Sequence, residues 1–183
     1  LRPFRVYIGV DFGGNGSQHA FVATGVLPGY RGVVALCSER IAAKGTDVVF
    51  LQKRFVQFVE AVFIRWGEIH AVFCDSAEQV LKNSLRAALL PTRFRWLAER
   101  VYNAKKIEIN DRIRTTAALM GGGRFWYMPE AGSVRAALST ALWSGKHPGK
   151  DERLDDGSTD VDTLDGFEYT IERDYKRYLG TET

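Results

Sequence analysis

Phe4-Arg5-Val6-Tyr7-Ile8-Gly9-Val10-Asp11, followed by Phe12-Gly13-Gly14, decides how this chain is read. The run is apolar and rich in β-branched residues, so it reads as a strand, and the glycines after it mark a turn. It ends on a carboxylate. An acid is seldom set beside core-forming sequence without a partner, yet the placement recurs: Asp75 follows the apolar Ala71-Val72-Phe73-Cys74, and Asp165 lies in Leu164-Asp165-Gly166-Phe167-Glu168-Tyr169. Three such acids point to one shared site, and hard oxygen ligands suit divalent metal ions. Each acid also has a plainer reading. Asp11 suits a turn, Asp75 a helix cap, and Asp162 the first turn of a helix, where the dipole favours negative charge.

Outward from the first strand, His19 to Val26 and Gly32 to Arg40 read as two more strands separated by Gly-rich or Pro-Gly turns, so three consecutive antiparallel strands open the domain. From Thr46, read as the N-cap, apolar residues recur at three- and four-residue spacing through Leu51, Phe55, Val59 and Val62 to Trp66, with a stop at Gly67. Ile69 to Cys74 is a fourth strand that delivers Asp75 to its end. A helix runs from about Ser76-Ala77-Glu78 to Leu89, with Glu78 capping it or, alternatively, sitting near the site. Phe94 to Glu99 reads as a fifth strand, Ile107 to Met120 as a helix closed by three glycines, and Arg124 to Met128 as another strand. The polar segment 143–159 reads as an exposed loop or hairpin. A closing helix, capped by Ser158, Thr159 or Asp160, carries Asp162 and Asp165 on one face and continues through Tyr175 and Tyr178.

With 183 residues, 45% hydrophobic, the chain suits a single domain, 1–183. No stretch approaches the ~18 consecutive apolar residues of a membrane span, and no signal sequence is visible at the start. Beginning at Leu1, close to a strand, the sequence suggests an excised domain or a processed product. Cys37 and Cys74 sit in apolar runs as small hydrophobes, which fits a reducing, intracellular setting. His19, His70 and His147 lack metal-ligand spacing. The four tryptophans read as packing residues rather than a base-stacking platform.

Tyr7-Ile8-Gly9-Val10-Asp11-Phe12-Gly13, Phe73-Cys74-Asp75-Ser76-Ala77-Glu78 and Asp162-Thr163-Leu164-Asp165-Gly166-Phe167-Glu168-Tyr169 occur in that order. Together they resemble the nuclease domain of tailed-bacteriophage large terminases, from Val6 to Tyr169. The middle motif is the most specific. The resemblance implies an α/β, RNase H-like fold: a central mixed β-sheet, three antiparallel strands then parallel strands, flanked by helices. It implies Asp11, Asp75 and Asp165 as catalytic metal ligands, two Mg2+ or Mn2+ ions per site, and endonucleolytic cleavage of concatemeric double-stranded viral DNA during genome packaging. Asp162 stands where related sequences often carry histidine, as a further ligand or a supporting group. Gly166 replaces the usual alanine, which keeps room for close packing. The implied partners are DNA, an ATPase domain, a small terminase subunit and a portal, in the host cell cytoplasm. No Gly-x-x-x-x-Gly-Lys-Ser/Thr loop occurs, so the N-terminal ATPase domain of a full large terminase is absent from this sequence.

Net charge is +3, yet residues 93–114 hold seven basic against three acidic side chains. Lys105, Lys106 and Arg112 from that stretch, with Lys146 and Lys150 from the polar segment, are candidates for the DNA backbone; an ordinary solvated face is the alternative. Other readings keep the carboxylates and change the biology: a Holliday-junction resolvase, a transposase core, a ribonuclease, or a non-catalytic DNA- or portal-binding module. Asp11-Phe12-Gly13-Gly14-Asn15-Gly16 is also similar to the first phosphate loop of actin-like sugar kinases. Such kinases need a second lobe and a second nucleotide loop, for which this chain is too short.

Overall fold

The architecture follows from the alternation in the first strand. In a computed structural model that describes residues 2–14, 16–141 and 159–181, β1 (Arg5–Asp11) sends Val6, Ile8 and Val10 into one apolar layer. Its other parity, Tyr7, Gly9 and Asp11, faces the opposite layer. β1 pairs antiparallel with β2 (Gln18–Val26), and β2 with β3 (Val33–Ala42). On its free side β1 takes β4 (Ala71–Cys74) in parallel, and β5 (Val101–Asn103) extends that edge in parallel. β6 (Phe125–Tyr127) lies parallel to β3, giving a six-stranded mixed sheet in the order β5-β4-β1-β2-β3-β6. The expected opening of three antiparallel strands followed by parallel ones is present.

One layer is covered by α1 (Val48–Trp66), α2 (Gln79–Leu89) and the short α3 (Arg95–Ala98), which bury Leu51, Phe55, Val59, Leu85 and Leu97 against the sheet. The other carries α4 (Ile109–Gly121), α5 (Gly132–Thr140), α6 (Val161–Ile171) and α7 (Tyr175–Leu179). Among the described residues no helix is long and apolar enough to cross a membrane.

Several local expectations are corrected. The segment 94–99 is not a strand. Phe94, Leu97 and Ala98 are buried at helical spacing, Leu97 N–H donates to Phe94 O at 2.8 Å, and the Thr92 hydroxyl accepts from Phe94 N–H at 3.0 Å. The fifth strand instead begins at Val101. The cap of α1 is Asp47, whose carboxylate accepts from Phe50 N–H at 2.7 Å, while the Thr46 hydroxyl donates backward to Ala42 O. Glu78 makes no side-chain cap bond to α2. The closing helix breaks after Ile171 into a 3-10 turn, Glu172–Asp174, before α7. No element is anticipated for residues 129–142, where α5 forms. Trp126 is 36% exposed, so it is not a core residue. The expected loop lies outside the described residues except for Thr159, as do Trp143, Lys146, His147 and Lys150.

β1 and α6 approach each other closely at a pair of glycines. A Cβ built on Gly9 would stand 1.7 Å from the carbonyl oxygen of Gly166, a backbone atom that cannot swing away. A Cβ on Gly166 itself would meet Val22 Cγ2 at 3.4 Å and Gly9 O at 3.7 Å, which is ordinary contact. The residue that must be glycine is therefore Gly9, not Gly166. Accordingly, Gly9→Ala should cost at least about 3 kcal/mol, the upper end of overpacking penalties. Gly166→Ala should stabilise by about 0.5 to 1 kcal/mol through helix propensity. Urea unfolding of both variants checks the contrast, and equal effects of one sign would refute the packing described.

Candidate active site

Asp11 and Asp75 are brought together by strand register. Val10 pairs with Cys74 in the parallel β1–β4 ladder, and Asp75 N–H continues it by donating to Val10 O at 3.0 Å. The two acids therefore leave the same edge of the sheet side by side. α6 then crosses over Gly9, and the Tyr169 hydroxyl donates to Asp11 Oδ1 at 2.9 Å. Asp165, one helical turn before Tyr169, sits on the same face and meets Arg112 Nη1 from α4 at 3.0 Å.

The start of α6 is fixed independently. Asp160 caps it, accepting from Thr163 N–H at 3.0 Å and pairing with Arg40 at 3.1 Å. Asp162 does not cap its own helix; Oδ2 accepts from Gln18 N–H at 2.8 Å and so holds the first residue of β2. Its charge nevertheless reaches the site, since it adds to the field at Asp11.

Burial and crowding dominate the electrostatics. Asp11 is 7% exposed, and desolvation first, then the neighbouring charges of Asp165, Asp75 and Asp162, push its carboxyl up to about 8 despite the Tyr169 hydrogen bond. Tyr169 is itself driven upward, by burial first and then by Asp11, so it remains a phenol and a donor. Arg112 is held on the high side: burial would lower it, but Asp165 and Glu168 outweigh burial. Lys106 Nζ lies 2.5 Å from Asp75 Oδ1 and 6.0 Å from the centre of the Tyr169 ring. Asp75 also accepts from Ala77 N–H at 2.9 Å, which closes a local turn ahead of α2 and is not the helix cap of the plainer reading of this residue.

All three expected site acids therefore share one end of the sheet with α6 laid across it. As they stand, two of the three carboxylates are turned toward protein cations, and among the described residues no group of three His, Cys, Asp or Glu side chains is gathered closely enough to hold a metal ion. The donor chemistry still fits a hard divalent cation: oxygen ligands only, concentrated negative charge, and a buried acid whose ionisation needs added positive charge. Of the basic candidates, Lys106 and Arg112 lie within this cluster, and Lys105 lies 5.8 Å from the Tyr175 ring. Arg93 and Arg100 are committed to Glu60 and Glu68 on the surface. His19 is buried edge-on against Phe12, and burial lowers its pKa.

Three contributors escape the sequence reading: Tyr169 as donor to Asp11, Glu168 as a buried partner of Arg112 at 3.5 Å, and Glu172. The available signal was the stripe Asp162, Asp165, Glu168 or Tyr169, and Glu172, spaced by three and four residues along one helix face.

A β-sheet of this order, with antiparallel β1–β2–β3, parallel β4 and β5 beside β1 and helices on both faces, places the chain in the RNase H-like class. Within that class its fold is that of phage large-terminase nuclease domains. The nuclease domain of the bacteriophage SPP1 large terminase, solved with bound Mn, superposes with a TM-score of 0.64 at 18% identity over 93% of this chain and 86% of that one. The P22 large terminase nuclease domain gives 0.63 at 14% identity, over 100% and 92%. The large terminase of a thermophilic bacteriophage gives 0.70 at 18% over 94% of this chain, which spans 40% of that protein. No protein-family model matches the sequence, and no curated protein matches it. Identities this low carry the fold and leave the chemistry to be argued from this chain's own residues.

The charge crowding yields a stability test. A carboxyl whose folded value is about 8 against 3.8 for the free group contributes no penalty well below 3.8. The penalty grows as pH rises through that interval and is complete above about 8. In chelator, Asp11→Asn should therefore be more stable than the parent, by on the order of several kcal/mol at about pH 8.5 and by clearly less at about pH 5. Urea titrations at both pH values measure this. A gain independent of pH would show that Asp11 is not a destabilised acid.

Proposed function

We propose that this domain is a divalent-metal-dependent endonuclease that cleaves double-stranded DNA during viral genome packaging. The observation that carries the reading is the convergence of Asp11 and Asp75, from adjacent parallel strand ends, under the face of α6 that bears Asp165. A pair of Mg2+ or Mn2+ ions bound there would activate water and stabilise the leaving oxygen of a phosphodiester. Asp11 would be the central ligand of such a site, because it is the most buried of the three and feels the charge of both others. Asp75 and Asp165 complete the ligand set, and Asp162 supports it by anchoring β2. Tyr169 holds the Asp11 carboxylate in one orientation, leaving its second oxygen for an ion.

Lys106 and Arg112, the cations beside Asp75 and Asp165, would be available to a phosphate bound there, and Lys105 would extend that basic group; Lys146 and Lys150, outside the described residues, are backbone candidates from the sequence. The fold of the phage large-terminase domains supports the packaging role, with an ATPase domain, a small terminase subunit and a portal as partners in the host cytoplasm. Resolvase and ribonuclease activities remain distinct outcomes of the substrate comparison below.

Asp11→Ala, Asp75→Ala and Asp165→Ala should each fold, as judged by circular dichroism, and lose at least about a hundredfold in plasmid cleavage in Mn2+ or Mg2+. Cleavage at the parent rate by all three variants would sink the assignment. Preferential cutting of four-way junctions or RNA·DNA hybrids over linear duplex would move the reading to another RNase H-like nuclease. A Mn2+ anomalous-scattering map locates the ions directly.

A further inference from the structure

The loop after β5 is held in an unusual way. Three successive backbone donors, Lys105, Lys106 and Ile107 N–H, all point to the single carboxylate of Glu172, at 2.6, 3.0 and 3.1 Å. A concave row of successive amides is the kind of cradle that binds anions from solution. Here it is filled from within, by an acid that is 1% exposed. The neighbouring Arg173 donates to Asn103 O at 2.9 Å, so the end of β5 and the loop beyond it are tied to the turn that follows α6.

Within this clamp Lys106 adopts a φ of +51°, the left-handed region that a side-chain-bearing residue occupies only under constraint. A glycine would take the same backbone shape without strain. The lysine instead carries an ammonium back over the strand ends to Asp75, at 2.5 Å, with the Tyr169 ring beneath it. A clamp serving only to close the loop would have no need of a cation at its most strained position.

From this geometry we infer that Glu172 is a positioning residue for the cleavage site. It holds Lys106 as the standing counter-ion of Asp75, so divalent ions are taken up only as that ammonium gives way. Glu172 thereby sets the ion affinity of a site it does not touch. The inference rests on Asp75 being a metal ligand, as proposed above, but Glu172's hold on Lys106 exists without metal and is measured separately.

Two measurements on the whole domain test it. In chelator, the NMR signal of the Lys106 ammonium should be that of a paired group in the parent. It should collapse to the free-lysine position in Asp75→Asn and equally in Glu172→Gln, where an amide replaces one acceptor oxygen with a donor. In Mn2+ titrations followed by calorimetry, Lys106→Met should bind the ion about fivefold more tightly than the parent, the worth of one partly exposed ion pair. Glu172→Gln should match it, and the double variant should gain nothing further. Glu172→Asp keeps the charge on a shorter arm and serves the same comparison should the glutamine variant fold poorly. A Glu172 variant that only lowers the melting temperature, leaving the ammonium signal and Mn2+ affinity at parent values, overturns the inference. Unchanged Mn2+ binding in Asp75→Asn would instead remove the ligand assignment, and the ammonium signal would still decide whether Glu172 positions Lys106.

Discussion

The backbone contact between Gly9 and Gly166 is the constraint on which the rest of the site depends. Because β1 has no side chain at that point, α6 can lie directly on the strand, and its acidic face is carried to the strand ends rather than held off by a layer of side chains. At that distance Tyr169 reaches Asp11, and Asp165 enters the field that raises the Asp11 carboxyl. Tyr7 and Phe73 from the sheet and Phe167 and Ile171 from the helix belong to the same buried apolar layer.

Charge balance is the second organising force. Four acids, Asp11, Asp75, Asp165 and Glu168, crowd one end of the sheet, and two protein cations, Lys106 and Arg112, are built in among them. Repulsion within such a group opposes folding, so either internal cations or bound ions must offset it. The two cations differ in kind. Arg112, with a side chain 12% exposed, belongs to the folded framework of α4 and α6, whereas Lys106 hangs on a strained loop with its ammonium at the rim.

Much of the fold was legible in the sequence because its signals are local. β1 to β4 announce themselves as apolar runs bounded by glycine, and α1 by the spacing of Leu51, Phe55, Val59 and Val62. The three acids were legible for the same reason, each ending or interrupting such a run. Phe94 to Glu99 misled because its bulky residues suit a strand as well as a single helical turn, and burial of Phe94 with Leu97 decided for the turn. Tyr169 and Glu172 were hidden because their roles are tertiary. Nothing local marks a tyrosine as the partner of an acid on another element, nor a glutamate after a helix as the anchor of a distant loop. The sequence places Asp162 beside Asp165 on one helix face, but its grip on Gln18 depends on β2 starting beneath α6.

The long reach of the Tyr169–Asp11 bond, 158 residues along the chain, bears on when the acidic cluster can form during synthesis. Asp11 and Asp75 emerge early in synthesis of the domain and can pair their strands, but the helix that completes the cluster follows all six strands of the sheet. A ribosome-bound chain thus carries two of the acids before the third, and before the tyrosine that orients the first. The order of the elements therefore defers assembly of the acidic cluster until every strand of the described sheet has been translated.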